Sequence, residues 1–374
     1  MKQQIIFQFP IDGDCLNARD GRMTAEELWV PVTVRTEPGC QLMVQHIQAE
    51  ETDGCYTAEV PLNQYRTLLT VKNMTTGEEA SITVFLLPEP VGKYRISSDD
   101  NILFLADLHE NRHRYQSIFE NPYLAVYKKA HDLYGAKVHL NLFYAFDREA
   151  AAYFGNARAD FDLSMMTDAY KEEWQANADW LKLSFHARAE KPDKPYKFAA
   201  SETLVDDYHL VRKEVIRFAG EETFCSDVTT VHWGEATREG VAALRSLGHR
   251  ALAGYFELDE NGDPLVAYYL PKEQTEYVGQ RDFWVDTRND VLFARIDRVT
   301  NIGSLREIMA DMEQIIAHPH RGGFVSFMIH EQYFYEDYVN YLADFEARVL
   351  EPARLLHEHG YCGSFLKEFL PENA

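Results

Sequence analysis

Short runs of alternating hydrophobic and polar residues dominate the first 90 or so positions of the chain. The runs at 28–35 (LWVPVTVR) and 41–47 (QLMVQHI) alternate in this way, and the turn residues Pro38 and Gly39 separate them. Similar runs follow at 56–60, 67–72 and 80–87, with the loop NMTTGEE at 73–79 between the last two. Several short strands at this spacing, without a helical pattern between them, are typical of an antiparallel β-sandwich.

The pattern changes from about residue 98, where longer apolar runs alternate with amphipathic segments. Seven runs have the composition of buried strands: 102–107 (ILFLAD), 137–144 (KVHLNLFY), 180–186 (WLKLSFH), 227–233 (DVTTVHW), 250–256 (RALAGYF), 291–299 (VLFARIDRV) and 323–331 (GFVSFMIHE). Helices are predicted at 123–134, 167–177, 202–218, 236–247, 304–317 and 336–359, and a hairpin at 268–277. Apolar strands that alternate with helices predict a parallel sheet covered on both faces.

Pro88 and Pro90 lie between the two patterns and indicate a domain boundary. We therefore expect a β-sandwich over residues 1–92 and an α/β domain over residues 98–374. The predicted fold class is α/β, preceded by a small all-β sandwich. Seven strands are one fewer than the eight of a standard closed (β/α) barrel.

The polar residues of the second domain fall where its predicted strands end. Ligands bind at the carboxyl ends of parallel strands, because loops and side chains from every strand converge there. The residues at this edge are Asp107, His109 and Glu110 after the first strand, His186 after the third, His232 and Trp233 after the fourth, and His330 and Glu331 after the last. A single residue of this kind is more often structural, but four strands that deliver one to the same edge indicate a shared site.

Imidazole and carboxylate side chains in one place predict a site for a divalent cation. This donor set suits zinc or, with more water ligands, manganese, iron or cobalt. Glu190 follows His186 by four residues, so both would lie on one face if the chain turns helically after the strand. Taken alone, Glu190 beside Arg188 and Lys191 is more typical of a solvated surface acid.

Five short motifs occur in a definite order along the chain: ILFLAD at 102–107, HARAEKP at 186–192, TVHWGE at 230–235, RDFWVD at 281–286 and VSFMIH at 325–330. In this order they make the region from about 98 to 360 similar to the polysaccharide deacetylase (NodB-homology) family. The resemblance implies a seven-stranded deformed (β/α) barrel with one divalent metal bound by Asp107, His186 and Glu190. It also implies that His330 is the catalytic acid. The first 90 residues resemble the small immunoglobulin-like accessory domains of carbohydrate enzymes.

The first motif departs from the family pattern, in which two adjacent Asp residues serve as catalytic base and metal ligand. Asp107 is followed by Leu108, so the base has to come from another residue. The candidates are Glu110, Glu331 and His109. Glu190 stands where the family has a second His, which would add negative charge at the metal and reduce its Lewis acidity.

The resemblance implies hydrolysis of an N- or O-acetyl group on a sugar or oligosaccharide. The candidate catalytic residues are Asp107, His330 and Glu331, and the candidate substrate-binding residues are His109, Glu110, His232, Trp233, Trp284 and Tyr333. Two alternatives remain open. One is a different barrel hydrolase, such as a retaining glycosidase with two carboxylates about 5 Å apart and no metal. The other is a non-catalytic carbohydrate-binding barrel, which the missing second Asp favours.

Composition and charge restrict the partners. The 374 residues include 37 Lys and Arg against 60 Asp and Glu, which gives a net charge of −23. Such an acidic chain lacks the basic surface that binding to nucleic acid or an anionic membrane requires. The N-terminus lacks a secretion signal and the five Cys residues have no CxxC spacing, so we expect reduced thiols and a cytoplasmic protein. The oligomeric state stays open.

Overall fold

Two five-stranded β-sheets form the N-terminal part of the computed structural model, which describes residues 5–370. The first contains Ile6–Phe9, Arg22–Met23, Leu28–Arg35, Glu50–Thr52 and Cys55–Leu62, and the second Cys15–Leu16, Leu42–Val44, Ile47–Gln48, Arg66–Asn73 and Glu79–Leu86. The alternating residues Leu28, Val30, Val32 and Val34 are buried in a core that both sheets share. The strands predicted at 28–35, 56–60, 67–72 and 80–87 are confirmed, and the first has the predicted bounds. The single strand predicted at 41–47 is wrong, because the chain turns at Gln45 and forms two antiparallel strands, Leu42–Val44 and Ile47–Gln48.

The remaining chain builds two further sheets from mainly parallel strands. The larger has the order Leu181–Ala187, Val138–Phe143, Lys93–Asn101, Phe324–His330 and Arg298–Val299, with Cys362–Gly363 also paired to the central strand. The smaller has the order Val228–Thr229, Ala251–Gly254, Val291–Arg295 and Phe283–Asp286, of which the last strand is antiparallel. Two small hairpins pair Ala145–Phe146 with Phe161–Asp162 and Glu257–Leu258 with Pro264–Leu265.

Eight α-helices connect and cover these strands within the described residues. They are Leu103–Glu110, Pro122–Tyr134, Lys171–Ala176, Ser201–Ala219, Arg238–Ser246, Lys272–Val278, Leu305–Ala317 and Phe345–Glu358. Short 3-10 turns lie at Ile118–Glu120, Ala150–Tyr153, Leu163–Met165, His232–Gly234, Glu331–Phe334 and Leu366–Phe369. None of the helices between residues 5 and 370 combines the length and the apolarity of a bilayer-spanning segment.

The mixed α/β fold class is confirmed, but hydrogen-bonded ladders do not close a barrel among residues 5–370. The continuous chain from Val291–Arg295 to Arg298–Val299 links the two parallel sheets on one side. On the other side, Leu183 exchanges backbone hydrogen bonds with Thr223 and Cys225. The seven-stranded barrel and the division into domains 1–92 and 98–374 stay predictions. The strand Lys93–Asn101 begins before residue 98, so that boundary falls inside it.

The predicted strand at 102–107 is wrong, because these residues start the helix Leu103–Glu110. Four of its eight residues are buried, and such an apolar run has no periodicity that separates a buried strand from a buried helix. The hairpin predicted at 268–277 is also wrong, since the helix Lys272–Val278 occupies much of it. The last predicted helix begins at Phe345 instead of 336.

The central strand Lys93–Asn101 carries polar residues on one of its two faces. Arg95, Ser97 and Asp99 alternate along it and are all buried. In the register of the sheet, Ser97 pairs with His139 on one side, and Asp99 pairs with His330 on the other. Polar side chains therefore line this face of the sheet up to the carboxyl ends of its strands.

Candidate metal centre

Four strand ends bring polar side chains to one edge of the parallel sheets. The central strand ends with Asp99 and Asp100, and Asp100 has a positive φ of 61°, an uncommon conformation for a residue other than Gly. His186 is at the end of Leu181–Ala187, and His330 ends Phe324–His330. His232 follows Val228–Thr229 in a short 3-10 turn. This convergence at the carboxyl edge is the arrangement expected of a ligand site in a parallel sheet.

Asp100, His186 and His232 form the closest group in the site, hereafter the Asp–His–His triad. The Nε2 atom of His186 lies 3.1 Å from Oδ1 of Asp100 and 3.1 Å from Nδ1 of His232. The Nδ1 atom of His232 lies 3.3 Å from the same oxygen of Asp100. All three side chains are buried. Three potential ligand atoms, two from strands and one from the turn after a third strand, thus lie close together.

In His186 and His232, the inner ring nitrogen faces Asp100 and the outer ring nitrogen faces a backbone carbonyl. The hydrogen bond of the outer nitrogen determines whether the inner nitrogen carries a proton. Nδ1 of His186 lies 2.5 Å from the carbonyl oxygen of Thr230, and Nε2 of His232 lies 3.2 Å from the carbonyl oxygen of Glu190. A carbonyl oxygen only accepts, so these outer nitrogens carry the protons in the neutral rings. Each inner nitrogen therefore presents a lone pair, and these lone pairs face an oxygen of Asp100.

Three facing acceptors repel one another unless a cation or additional protons lie between them. With additional protons on the imidazoles, the charge of His330 and hydrogen bonds from His186 and His232 hold the pKa of Asp100 well below its ordinary value, although burial alone would raise it. Two imidazoles and one carboxylate, with the imidazole protons held by outer carbonyls, are a ligand set that suits zinc. The residues present therefore fit a divalent metal.

Two further polar side chains flank the triad. Asp99 is buried, and Nδ2 of Asn141 donates to its Oδ1 over 2.5 Å. His330 has its Nδ1 atom 2.8 Å from Oδ1 of Asn301, and its Nε2 atom lies 3.9 Å from Oδ2 of Asp100. Asp99 and His330 are register partners in adjacent strands, so they lie on the same side of the sheet edge.

The triad opens into a cleft of about 350 Å³, hereafter the metal cleft. Its walls include Asp99, His330, Trp233, Tyr333 and Tyr338 in addition to the triad. A volume of this size, with apolar and aromatic walls and a few convergent polar groups, is typical of a small-molecule site.

The predicted metal ligands are only partly brought together. His186 lies in the triad, and His232, predicted as a substrate-binding residue, occupies a ligand position. Glu190 contributes its backbone carbonyl to His232, whereas its carboxylate is not part of the triad. Burial and the charge of Asp100 raise the pKa of Glu190 to about 8.

Asp107, His109 and Glu110 lie in a helix and line no part of the metal cleft. The carboxylate of Asp107 instead accepts hydrogen bonds from the side-chain amides of Asn111 (2.9 Å) and Asn121 (2.7 Å). The assignment of Asp107 as the residue that ends the first strand is therefore wrong, because the strand ends six residues earlier, at Asn101.

Glu331 is fully buried and caps the helix Leu103–Glu110. Its carboxylate accepts hydrogen bonds from the backbone N–H groups of Ile102 (2.6 Å), Leu103 (2.9 Å) and Phe104 (2.5 Å). The hydroxyl of Tyr335 donates a further bond over 2.8 Å. Glu331 thus accepts hydrogen bonds from four donors and does not line the metal cleft, and its catalytic role stays a prediction.

The aromatic candidates divide into two groups. Trp233 and Tyr333 line the metal cleft, and Trp233 is 39% exposed in a left-handed backbone conformation (φ 63°). Trp284 is buried elsewhere, where its Nε1–H donates to the carbonyl of Asp12 and its ring stacks on Phe293. The predicted substrate-binding role of Trp284 is therefore not supported by its position.

Sequence reasoning missed the Asp99–Asp100 pair and the two amides that hold Asp99 and His330. The available signal was the segment YRISSDDN at 94–101, where polar residues alternate with Tyr94, Ile96 and Ser98 before an adjacent Asp pair. The chain thus has two adjacent Asp residues at the end of a parallel strand, at 99–100 and not at 107–108.

Comparison with known proteins gives no family assignment. No model of a known family matches the chain, and no curated protein matches it. Similar solved structures include a CE4 family pseudoenzyme from Bacillus anthracis, with 9% identity, a TM-score of 0.34 and coverage of 77% of this chain and 69% of that one. A mutant pseudoenzyme of that family with restored enzymatic activity has 10% identity, a TM-score of 0.34 and coverage of 82% and 87%.

A further similar structure is a 4-alpha-glucanotransferase from Thermococcus litoralis, with 11% identity and a TM-score of 0.45. It matches 75% of this chain and 40% of its own. Likeness at these identities and TM-scores assigns neither a family nor an activity.

Proposed function

We propose that the protein is a divalent-metal-dependent hydrolase that removes an acetyl group from an acetylated sugar or oligosaccharide. The observation that carries this proposal is the buried triad of Asp100, His186 and His232, whose ligand atoms lie within 3.3 Å of one another. The Asp99–Asp100 pair at the end of the first parallel strand adds support, because the family resemblance requires two adjacent Asp residues there.

The triad would hold the metal with three protein atoms, and the rest of its coordination would face the metal cleft. Three protein ligands with an open position are typical of catalytic zinc. When bound, such an ion supplies Lewis acidity to a carbonyl oxygen and lowers the pKa of a water molecule. Thr230 and Glu190 orient the ligands through their carbonyl groups.

Asp99 is the proposed general base. Its carboxylate lines the metal cleft beside Asp100, and the amide of Asn141 fixes one of its oxygens. The other oxygen can accept a proton from water at the edge of the triad. Removal of a positioned general base typically slows an enzyme by about 10²- to 10⁴-fold.

His330 is the proposed general acid. Asn301 accepts from both the backbone N–H and Nδ1 of His330, which fixes the ring and leaves Nε2 toward Asp100 and the cleft. In the protonated ring, Nε2 can donate to a leaving amine or alkoxide. Imidazole has its ordinary pKa near neutrality and suits this step.

The aromatic side chains Trp233, Tyr333 and Tyr338 favour a carbohydrate as the substrate. Aromatic rings offer large apolar faces for stacking, and the polar tips of Tyr and Trp can form hydrogen bonds with hydroxyl groups.

Metal content and acetyl release test the proposal together. We expect about one zinc ion per chain in the native protein and in Asp107→Asn, which removes a carboxylate outside the cleft, and a large loss of metal in Asp100→Asn. Asp99→Asn should keep the metal and lose hydrolysis of acetylated chito-oligosaccharides by at least about 100-fold. Equal metal content in Asp100→Asn and Asp107→Asn would refute the metal site.

The same measurements separate the competing functions. A retaining glycosidase needs no metal, so its activity would survive chelation and would release sugars instead of acetate. A non-catalytic carbohydrate-binding protein would bind oligosaccharides without releasing acetate in either the native protein or Asp99→Asn.

A further inference from the structure

A second cavity, of about 470 Å³, adjoins the metal cleft. Both are lined by Tyr255, Leu265, Val299 and Ile302. The rest of the second cavity is formed by the segment that joins Val291–Arg295 to Arg298–Val299, by the helix Leu305–Ala317 and by the loop after it. One ligand could therefore contact both cavities across the shared wall.

Three arginines line this second cavity, hereafter the arginine cavity. They are Arg295, Arg298 and Arg321, with side chains 5%, 16% and 14% exposed. Asp297 is the buried carboxylate among the lining residues, and its Oδ1 lies 3.7 Å from Nε of Arg295 and 3.5 Å from Nε of Arg321. One carboxylate thus faces two guanidinium groups.

The other carboxylates of the arginine cavity lie at its solvent-exposed rim. Glu257, 53% exposed, pairs with Arg295 over 3.0 Å, and Asp311, 46% exposed, pairs with Arg298 over 3.0 Å. Exposed ion pairs are screened by water and salt, so they offset the buried charge only partly. The lining as a whole holds three arginines and three carboxylates, but its buried part holds the three arginines with Asp297 as their one buried carboxylate.

The Nε atoms of Arg295, Arg298 and Arg321 are all buried without a hydrogen-bond partner. The terminal nitrogens of Arg295 and Arg298 donate to other groups, whereas those of Arg321 donate to no group among residues 5–370. Arg321 therefore has the most spare hydrogen-bonding capacity of the three. Its neighbour His318 accepts backbone N–H bonds at Nδ1 from His320 and Arg321 itself. Burial and then the charge of Arg321 lower the pKa of His318.

We propose that the arginine cavity binds an oxyanion of the substrate, a carboxylate or a phosphate, with Arg321 as its main ligand. A guanidinium group matches both oxyanions with two parallel hydrogen bonds. Because the cavity adjoins the metal cleft, one substrate could place its oxyanion in the cavity and its acetyl group in the cleft. That the rest of the substrate is an acetylated sugar rests on the proposed function. The preferred substrate is accordingly an acidic or phosphorylated acetylated sugar.

Direct binding to the full-length protein tests the inference without any need for turnover. Isothermal titration calorimetry with glucuronate, glucose 6-phosphate and glucose compares a carboxylate, a phosphate and a neutral sugar. We expect at least one charged sugar to bind about tenfold or more tightly than glucose, and which one does so identifies the oxyanion. The preference should weaken as salt is added.

Arg321→Gln should remove this preference, and Arg321→Lys should keep part of it, because the charge remains without the planar fork. Arg306→Gln, an exposed arginine outside the cavity lining on the helix Leu305–Ala317, is the matched control and should bind as the native protein does. Equal affinity for charged and neutral sugars, or an unchanged preference in Arg321→Gln, would overturn the inference.

The two proposals fail in different ways. Anion binding without release of acetate from any acetylated sugar would remove the proposed function and leave the oxyanion site standing. Release of acetate with equal binding of charged and neutral sugars would remove the oxyanion site and leave the proposed function standing.

Discussion

The histidines of this protein differ in what surrounds their ring nitrogens. In His186, His232 and His330, one nitrogen is held by a carbonyl or amide oxygen and the other faces the metal cleft. In His249, by contrast, both ring nitrogens are buried and have no hydrogen-bond partner among residues 5–370. The ring of His249 packs edge-on against Tyr208 with centroids 5.0 Å apart, so it behaves as an apolar group.

Burial lowers the pKa of His249 from 6.5 to about 4. The folded protein therefore binds this proton more weakly than the unfolded chain does. The contribution of the neutral ring to stability is complete above the unfolded pKa of 6.5 and is lost as the pH falls toward 4. Between about pH 7 and about pH 5 the loss should be about 2 kcal/mol.

His249→Phe should remove this part of the pH dependence while keeping the ring contact with Tyr208. Urea unfolding at several pH values measures this pH dependence. The quantity to compare is the difference in unfolding free energy between the variant and the native protein at each pH. His209→Phe, on the helix Ser201–Ala219 and more exposed, is the control. A difference that stays constant from about pH 7 to about pH 5 would contradict the argument.

At the scale of elements, the sequence pattern predicted strands and helices with one apolar and one polar face. The strand at 28–35 alternates cleanly, and the helix predicted at 304–317 is observed as Leu305–Ala317 with a Ser304–Glu307 capping box. The pattern failed at Lys93–Asn101, because the polar side chains of this strand point to other polar groups inside the sheet. A rule that expects apolar residues in buried parallel strands reads such a segment as a loop.

The same failure explains how much of the site was predictable. Histidines that end apolar strands stand out, so His186, His232 and His330 were recognised from their positions. Asp99 and Asp100 end the strand that was missed, so their position was assigned to Asp107 instead. Asn141 and Asn301 act through contacts between segments far apart in the chain, which no local pattern reveals.

The helix Leu103–Glu110 depends on a cap that lies more than two hundred residues away. Ile102 offers no side-chain cap, and the carboxylate of Glu331 accepts three of the first backbone N–H groups instead. Glu331→Gln replaces one accepting oxygen by an amide that cannot accept. We expect the unfolding free energy to fall by about 3 kcal/mol, because buried donors lose a charged partner.

Glu110→Gln is the control for this variant, since Glu110 is an exposed residue of the same helix. It should change the urea midpoint little. If Glu331→Gln is as stable as Glu110→Gln, the carboxylate does not cap the helix.

At the scale of the whole molecule, buried charges join the N-terminal sheets to the rest of the chain. Arg281 is buried and lies 2.8 Å from Asp20 and 3.8 Å from Asp14, both of which are also buried. The hydroxyl of Tyr277 donates to the same Asp14. A buried pair that loses one partner leaves an uncompensated charge in a medium of low dielectric constant.

Arg281→Met should therefore lower the unfolding free energy by about 3–5 kcal/mol. Arg288→Met removes an exposed arginine from the turn that follows the strand Phe283–Asp286, and it should have little effect. Thermal unfolding of both variants measures the difference. Equal melting temperatures of the two variants would show that the ion pairs of Arg281 with Asp14 and Asp20 do not stabilise the fold.

A last contact between the two parts of the chain bears on substrate choice. Arg19, in the N-terminal part, donates through its guanidinium to the backbone carbonyls of Ile316, His318 and Arg321. These carbonyls belong to the end of a helix and the loop that carry Arg321 into the arginine cavity. The N-terminal part thus holds the loop that carries Arg321 in place. The α/β part transplanted alone into another protein would keep the Asp–His–His triad but lose the contacts that fix Arg321 in the arginine cavity.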